Sequence, residues 1–222
     1  MVIDAFSTKG MRKENQDAFF VLSFEVGNKE HTVAVICDGM GGSKDGCFAS
    51  NLVIDKISDK VKQGYFHIED IEPLIKEIHK EMKSLDGKSG TTCTYLWTDG
   101  SSYEIFHLGD SRCYARKDGK YLQLTEDHSV REDAKRGYFG EKSKDYLNHP
   151  ENVLSRCVGI GVDPVPFRAR GFTSGVEEFL LCSDGFWHFF NVDEEVGNLE
   201  DYCNDIIFKG ENDNISVVKV VL

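Results

Sequence analysis

His31-Thr32-Val33-Ala34-Val35-Ile36-Cys37-Asp38-Gly39-Met40-Gly41-Gly42 joins an apolar run to a glycine-rich loop, with a carboxylate at the junction. Residues 31–37 are rich in Val, Ile and Thr, which suit a pleated surface, so they read as a strand. The strand ends on Asp38. Gly39 follows without a Cβ, a feature that lets a backbone carbonyl approach an ion closely.

Working outward, residues 2–7 and 18–26 also read as strands, and Gly27-Asn28 is a turn signal between 18–26 and the strand at 31–37. Two helical stripes follow the loop, one through Val53, Ile57 and Val61 and one through Ile71, Ile75, Ile78 and Met82. From Thr91 to Leu124, short apolar runs are separated by Asp99-Gly100 and Asp118-Gly119, the mark of antiparallel hairpins. Residues 128–163 are polar and irregular, with short helical fragments at most, and a loop region that long in a domain is usually functional or mobile. Strands are expected again at 166–172, 178–183 and 214–221, with a helix over 192–208 that turns Leu199, Tyr202, Cys203 and Ile206 inward. Strand groups and helix groups are segregated, which favours an α+β fold with largely antiparallel sheets. No compositional break divides the 222 residues, so one domain over 1–222 is expected.

The net charge of −12 repels nucleic acid and anionic membranes alike, so neither is an expected partner. Seven cysteines, odd in number and without a C-x-x-C pair, mostly lie inside apolar runs and suit buried, reduced thiols. No charged-then-apolar leader stands at the start, and no apolar run is long enough to span a bilayer. A cytoplasmic enzyme without a membrane segment is the expectation.

Asp38, Asp110, Asp184 and Asp213 share one context: each sits at the end of an apolar strand beside Gly or Asn. Strand ends of a sandwich can meet at one rim, where carboxylates repel unless a cation sits among them. Carboxylates and glycine carbonyls are hard donors suited to Mg2+ or Mn2+, and the seven scattered histidines offer no zinc spacing. No cysteine is followed five residues on by the Arg a thiolate phosphatase needs, and G-x-S-x-G, P-loop and G-x-G-x-x-G patterns are absent.

Seven elements in order resemble the type 2C family of metal-dependent serine/threonine protein phosphatases, in its bacterial form. They run from Arg12-Lys13-Glu14-Asn15-Gln16-Asp17 through Asp38-Gly39-Met40-Gly41-Gly42, Ser89-Gly90-Thr91-Thr92, Gly109-Asp110-Ser111-Arg112, Leu124-Thr125-Glu126-Asp127-His128-Ser129 and Ser183-Asp184-Gly185 to Asp213-Asn214-Ile215. The resemblance implies a four-layer α-β-β-α sandwich, two antiparallel β-sheets flanked by helix pairs. It implies two Mg2+ or Mn2+ ions: Asp38 bridging both, Gly39 and Asp17 serving the second, Asp184 and Asp213 completing the first, and Asp110 binding a weaker third. Arg12 would grip the phosphate while a metal-bridging hydroxide attacks phosphorus directly. The implied partners are phosphorylated Ser/Thr proteins and a cognate protein kinase, met by a monomer. Met40 stands where many animal members have a histidine that serves as general acid, and a thioether donates no proton. Residues 128–163 occupy the place of the family's flap, where Arg131, Lys135, Arg136, Tyr138, Lys142 and Lys144 face acidic or phosphorylated peptides in the functional reading and solvent in the plainer one. A catalytically dead relative would be expected to lose metal carboxylates, whereas Asp38, Asp184 and Asp213 are all present.

Overall fold

Every strand pairing in the computed structural model is antiparallel, and the strands divide into two sheets. The structure describes residues 1–41, 43–85, 88–150 and 152–222. Gly42, the last residue of the glycine-rich loop, lies outside them. One sheet runs β1 (Val2–Thr8), β11 (Ile215–Val221), β10 (Glu178–Cys182), β7 (Arg112–Lys117), β8 (Lys120–Gln123). The other runs β2 (Asp17–Val26), β3 (Lys29–Met40), β5 (Cys93–Thr98), β6 (Ser102–Leu108), β9 (Phe167–Phe172), with the short β4 (Gly90–Thr91) on the end of β3. At the β7–β8 turn, Lys117 faces Lys120, and Asp118 and Gly119 both take positive φ, 52° and 76°. That is the primed turn whose twist matches the flanking strands.

The opening stretch explains the layering. Alternate side chains of β3 point to opposite faces. Ala34 and Ile36 enter a core between the sheets with Leu96, Ile105, Phe179, Leu181 and Val218. Val33, Val35 and Cys37 face the other way, against α1 (Ser43–Lys62) and α2 (Ile68–Leu85), whose Ile57, Ile71, Ile75 and Ile78 are fully or almost fully buried. Burial of each such side chain stabilises the fold by about 1.5–3 kcal/mol.

Between β8 and β9 the chain forms α3 (Val130–Lys135), a 3-10 turn at Gly140–Lys142 and α4 (Ser143–Tyr146), and is otherwise irregular. The Ser129↔Leu154 bridge and an Arg156–Asp133 ion pair close this segment on itself, and the Thr91↔Val158 bridge ties it back to the sandwich.

The last layer comprises α5 (Asp184–Trp187) and α6 (Leu199–Phe208), with Leu199, Cys203 and Ile206 packed on Leu180, Cys182, Ile215 and Val217. The four-layer α-β-β-α order holds, although this outer layer is lighter than a pair of long helices. The helix expected over 192–208 begins only at Leu199. Asn198 caps it by accepting from the Asp201 N–H, and the carbonyls ahead of it are committed elsewhere, Val192 to Tyr121 and both Val196 and Gly197 to Lys219.

Candidate active site

Register and strand ends bring the acids together. Asp17 opens β2 and pairs directly with Asp38 near the end of β3. Like charges placed opposite one another across an antiparallel pair repel. Asp184 begins α5 two residues after β10 ends, Asp213 lies two residues before β11, and Asp110 sits in the turn from β6 to β7. Ser183 joins the sheets here: its hydroxyl donates to Asp17 Oδ2 at 2.8 Å and accepts the Ser216 N–H at 3.0 Å. The result is a cavity of about 350 Å3 lined by Arg12, Asp38, Gly39, Asp110, Asp184 and Asp213, with Gln16, Met40, Thr92, Asn152, Leu154 and Asn214. Asp17 is buried beside it.

The electrostatics are those of an uncompensated acidic cluster. Burial, then the charges of Asp17, Asp184, Asp110 and Asp213, pushes Asp38 well above the ordinary carboxylate range. Burial raises Asp17 to about 7 against the opposing bonds from Ser216 and Ser183. It raises Asp110 to about 8, helped by Asp184 and Asp127. Asp184 is raised by burial and by Asp213, and neighbouring His188 works the other way. Arg12 is the one basic side chain lining the cavity among the described residues; its Nη2 donates to Asp213 Oδ2 at 2.7 Å, and the arginine side chain is 57% exposed.

The donor set fits hard divalent cations. Asp17 Oδ1 and Asp184 Oδ1 are buried with no hydrogen-bond partner among the described residues, a costly state that an ion would relieve. No three acid, imidazole or thiolate side chains among those residues close to ligand distance around one point. They stand around the cavity, as repelling charges do. Gly39 proves to be glycine for a further reason: a Cβ there would lie 2.1 Å from the Gly46 carbonyl oxygen and 2.7 Å from that of Gln16.

The sequence model of the family described as Protein phosphatase 2C matches residues 9–209. The chain belongs to the protein phosphatase 2C family. The serine/threonine phosphatase Stp of Listeria innocua is 35% identical over 196 residues, covering 79% of this chain and 73% of that protein. The serine/threonine protein phosphatase PstP of Mycobacterium tuberculosis is 28% identical over 168 residues, covering 68% of this chain and 30% of that longer protein. The solved S. agalactiae serine/threonine phosphatase superposes with a TM-score of 0.79 at 25% identity, covering 100% of this chain and 99% of that one. This chain is therefore a bacterial-type serine/threonine phosphatase of a metal-dependent family.

In this phosphatase 2C several supporting contacts carry no spacing signal. Trp187 donates its ring N–H to the Asp110 carbonyl at 2.9 Å, while the Arg112 guanidinium lies 3.5 Å over the Trp187 ring and forks onto Asp127 at 3.0 and 2.6 Å. Asn214 accepts the Gln16 N–H and donates to the carbonyls of Lys9 and Glu14, fastening the segment that bears Arg12 to the turn that bears Asp213. Asn214 was visible in its motif, but its role was not. His107 and His128 pack against each other in the interior with tilted rings, His107 bonded to Thr94 and His128 to the Gly109 N–H, and burial lowers them to about 4 and about 2. His128 is thus held in a structural role. No helix among the described residues is long and apolar enough to cross a membrane.

Proposed function

We propose that this phosphatase 2C hydrolyses phosphoserine and phosphothreonine esters of proteins at the aspartate-lined cavity. In this reading Asp38 would serve both of two Mg2+ or Mn2+ ions, Asp184 and Asp213 would complete one site, Asp17 and the Gly39 carbonyl would serve the other, and Asp110 would hold a weaker third ion. The observation that carries it is the gathering of Asp38, Asp110, Asp184 and Asp213 around one cavity, over buried Asp17, with Arg12 as the only lining base among the described residues.

When bound, the cations supply a hydroxide nucleophile near neutral pH and offset charge on the phosphoryl oxygens. Arg12 releases Asp213 and turns its planar fork onto two phosphate oxygens; its exposure leaves it free to swing. Met40 lines the cavity and has no transferable proton, and His128 is spent on Gly109, so the departing oxygen takes its proton from water in the cavity. Asn152 and Leu154 carry the 128–163 segment to the cavity wall, which suits a flap that meets the substrate peptide.

The 222 residues act as one domain and as a monomer, opposing a cognate kinase in the cytoplasm, a compartment that seven free cysteines suit. The test is hydrolysis of a phosphothreonine peptide with Mn2+. We expect activity that chelator abolishes and that Asp184→Asn cuts by about three orders of magnitude with the fold intact. Metal-independent turnover, or a fully active Asp184→Asn protein, would overturn the assignment.

A further inference from the structure

The turn that carries Asp213 is built around a second acid. Glu211 is buried, and its Oε1 accepts the backbone N–H groups of Asn212 at 2.7 Å and of Asp213 at 2.9 Å. Its Oε2 lies 3.3 Å from His188 Nδ1. His188 immediately follows α5 and donates its own backbone N–H to the Asp184 carbonyl at 3.0 Å. The Glu211 N–H reaches the Ile206 carbonyl of α6 at 3.3 Å, which anchors the start of the turn. One step further on, the Asn214 N–H binds Asp213 Oδ1 at 2.8 Å, leaving Oδ2 directed to the cavity side where Arg12 meets it.

Burying another carboxylate beside an uncompensated acidic cluster is costly unless its oxygens are satisfied. Glu211 meets that cost with two main-chain donors and an imidazole. Those bonds connect the main chain at Asp213 to the main chain at Asp184 through two side chains.

We infer that Glu211 is a positioning residue for the cation site: it fixes the Asp213 turn and, through His188, ties that turn to the helix that presents Asp184. The inference rests on the reading of Asp184 and Asp213 as ligands of one ion. Groups that orient ligands in this way typically change metal affinity by about 10–100-fold when lost.

The experiment is Mn2+ binding to the full chain, followed by the electron paramagnetic resonance of the free ion, for the wild type and for Glu211→Ala, Glu211→Met, Glu211→Gln and Asp213→Asn. Glu211→Met keeps the side-chain volume without an acceptor, so a cavity effect cannot pass for a lost bond. Melting in chelator identifies folded variants. Glu211→Ala and Glu211→Met are expected to weaken Mn2+ binding by about tenfold or more, whereas Glu211→Gln, whose amide oxygen still accepts both N–H groups, stays within about threefold. Wild-type affinity in Glu211→Met alongside a loss in Asp213→Asn would overturn the positioning role and leave the ligand reading standing. Glu211→Gln as weak as Glu211→Met would show that charge matters and not the two bonds, and would also overturn it. Wild-type affinity in Asp213→Asn would remove the ligand reading and this inference together.

Discussion

Two of the cavities lined by acidic side chains among the described residues differ in the neighbours those acids have. Between α2 and β9, Glu69 and Glu72 line a cavity of about 410 Å3 with Arg168 and Arg170. Glu72 pairs with Lys76 at 2.7 Å and Arg168 at 2.5 Å, Glu69 pairs with Arg170, and nearby Glu104 takes Arg170 at 3.2 Å and His67 at 3.3 Å. The Arg170 bond lowers Glu69, and at Glu72 the cations outweigh burial and lower it as well. At the rim, a cavity of about 350 Å3 gathers four aspartates over a buried fifth with one lining base among the described residues, and Asp17, Asp38, Asp110 and Asp184 are all shifted upward. The larger cavity is thus the neutralised one. Unbalanced charge, not volume, marks the place where an external cation is needed.

The largest effect that would break this contrast comes from Asp38→Asn. Removing the bridging acid should lower Mn2+-dependent hydrolysis by about 10³-fold or more, about 4 kcal/mol of transition-state stabilisation, while the chelated variant melts no lower than the wild type because a repulsion is relieved. Steady-state assays and calorimetry check both halves. Activity within tenfold of wild type, or a fold lost in chelator, would dissolve the distinction between the two cavities.

The second effect is a pH dependence opposite to that of paired acids. The folded values of Asp17 and Asp110, about 7 and about 8, lie above those of an unfolded aspartate. In that range the folded chain binds more protons, so stability is present at low pH and is lost as pH rises through those values. Denaturant melts in chelator should lose stability, by at most about 5 kcal/mol, between about pH 5.5 and about pH 8.5. Mn2+ should flatten the trend by taking the place of the protons. A chelated protein that gains stability over this interval would contradict the account.

A smaller effect sharpens the rim itself. Trp187→Phe keeps an aromatic ring beneath Arg112 but removes the donor to the Asp110 carbonyl, with a stability loss of about 1 kcal/mol. Turnover should fall at limiting Mn2+ and recover in part at high Mn2+, since the loss lies in ion binding. An equal loss at all Mn2+ concentrations would rule that out. Smallest of all is Glu72→Gln in the other cavity, which should leave kcat/KM unchanged and move stability by no more than about 1 kcal/mol, as expected of a partly exposed ion pair.

Periodicity and strand-end context were legible because they are local. The alternation in Val33-Ala34-Val35-Ile36-Cys37 already contains both faces of β3, and the stripe through Ile71, Ile75, Ile78 and Met82 already contains the inner face of α2. What stayed hidden depends on distant parts of the chain. Arg12 meets Asp213 across 201 positions, and Trp187 meets Asp110 across 77. Glu211 reads as an ordinary surface acid until the turn closes its N–H groups onto it. The over-long helix at 192–208 has the same cause, since the Tyr121 and Lys219 donors that claim its early carbonyls lie far from it in sequence.

Crystals of the full chain grown with Mn2+ and measured at the manganese edge test the central claim most directly. The account predicts two anomalous peaks flanking Asp38, one of them within reach of Asp184 and Asp213, and none beside Glu69, Glu72 or Glu104. Manganese bound among those glutamates, or a rim without manganese at saturating concentration, would contradict it.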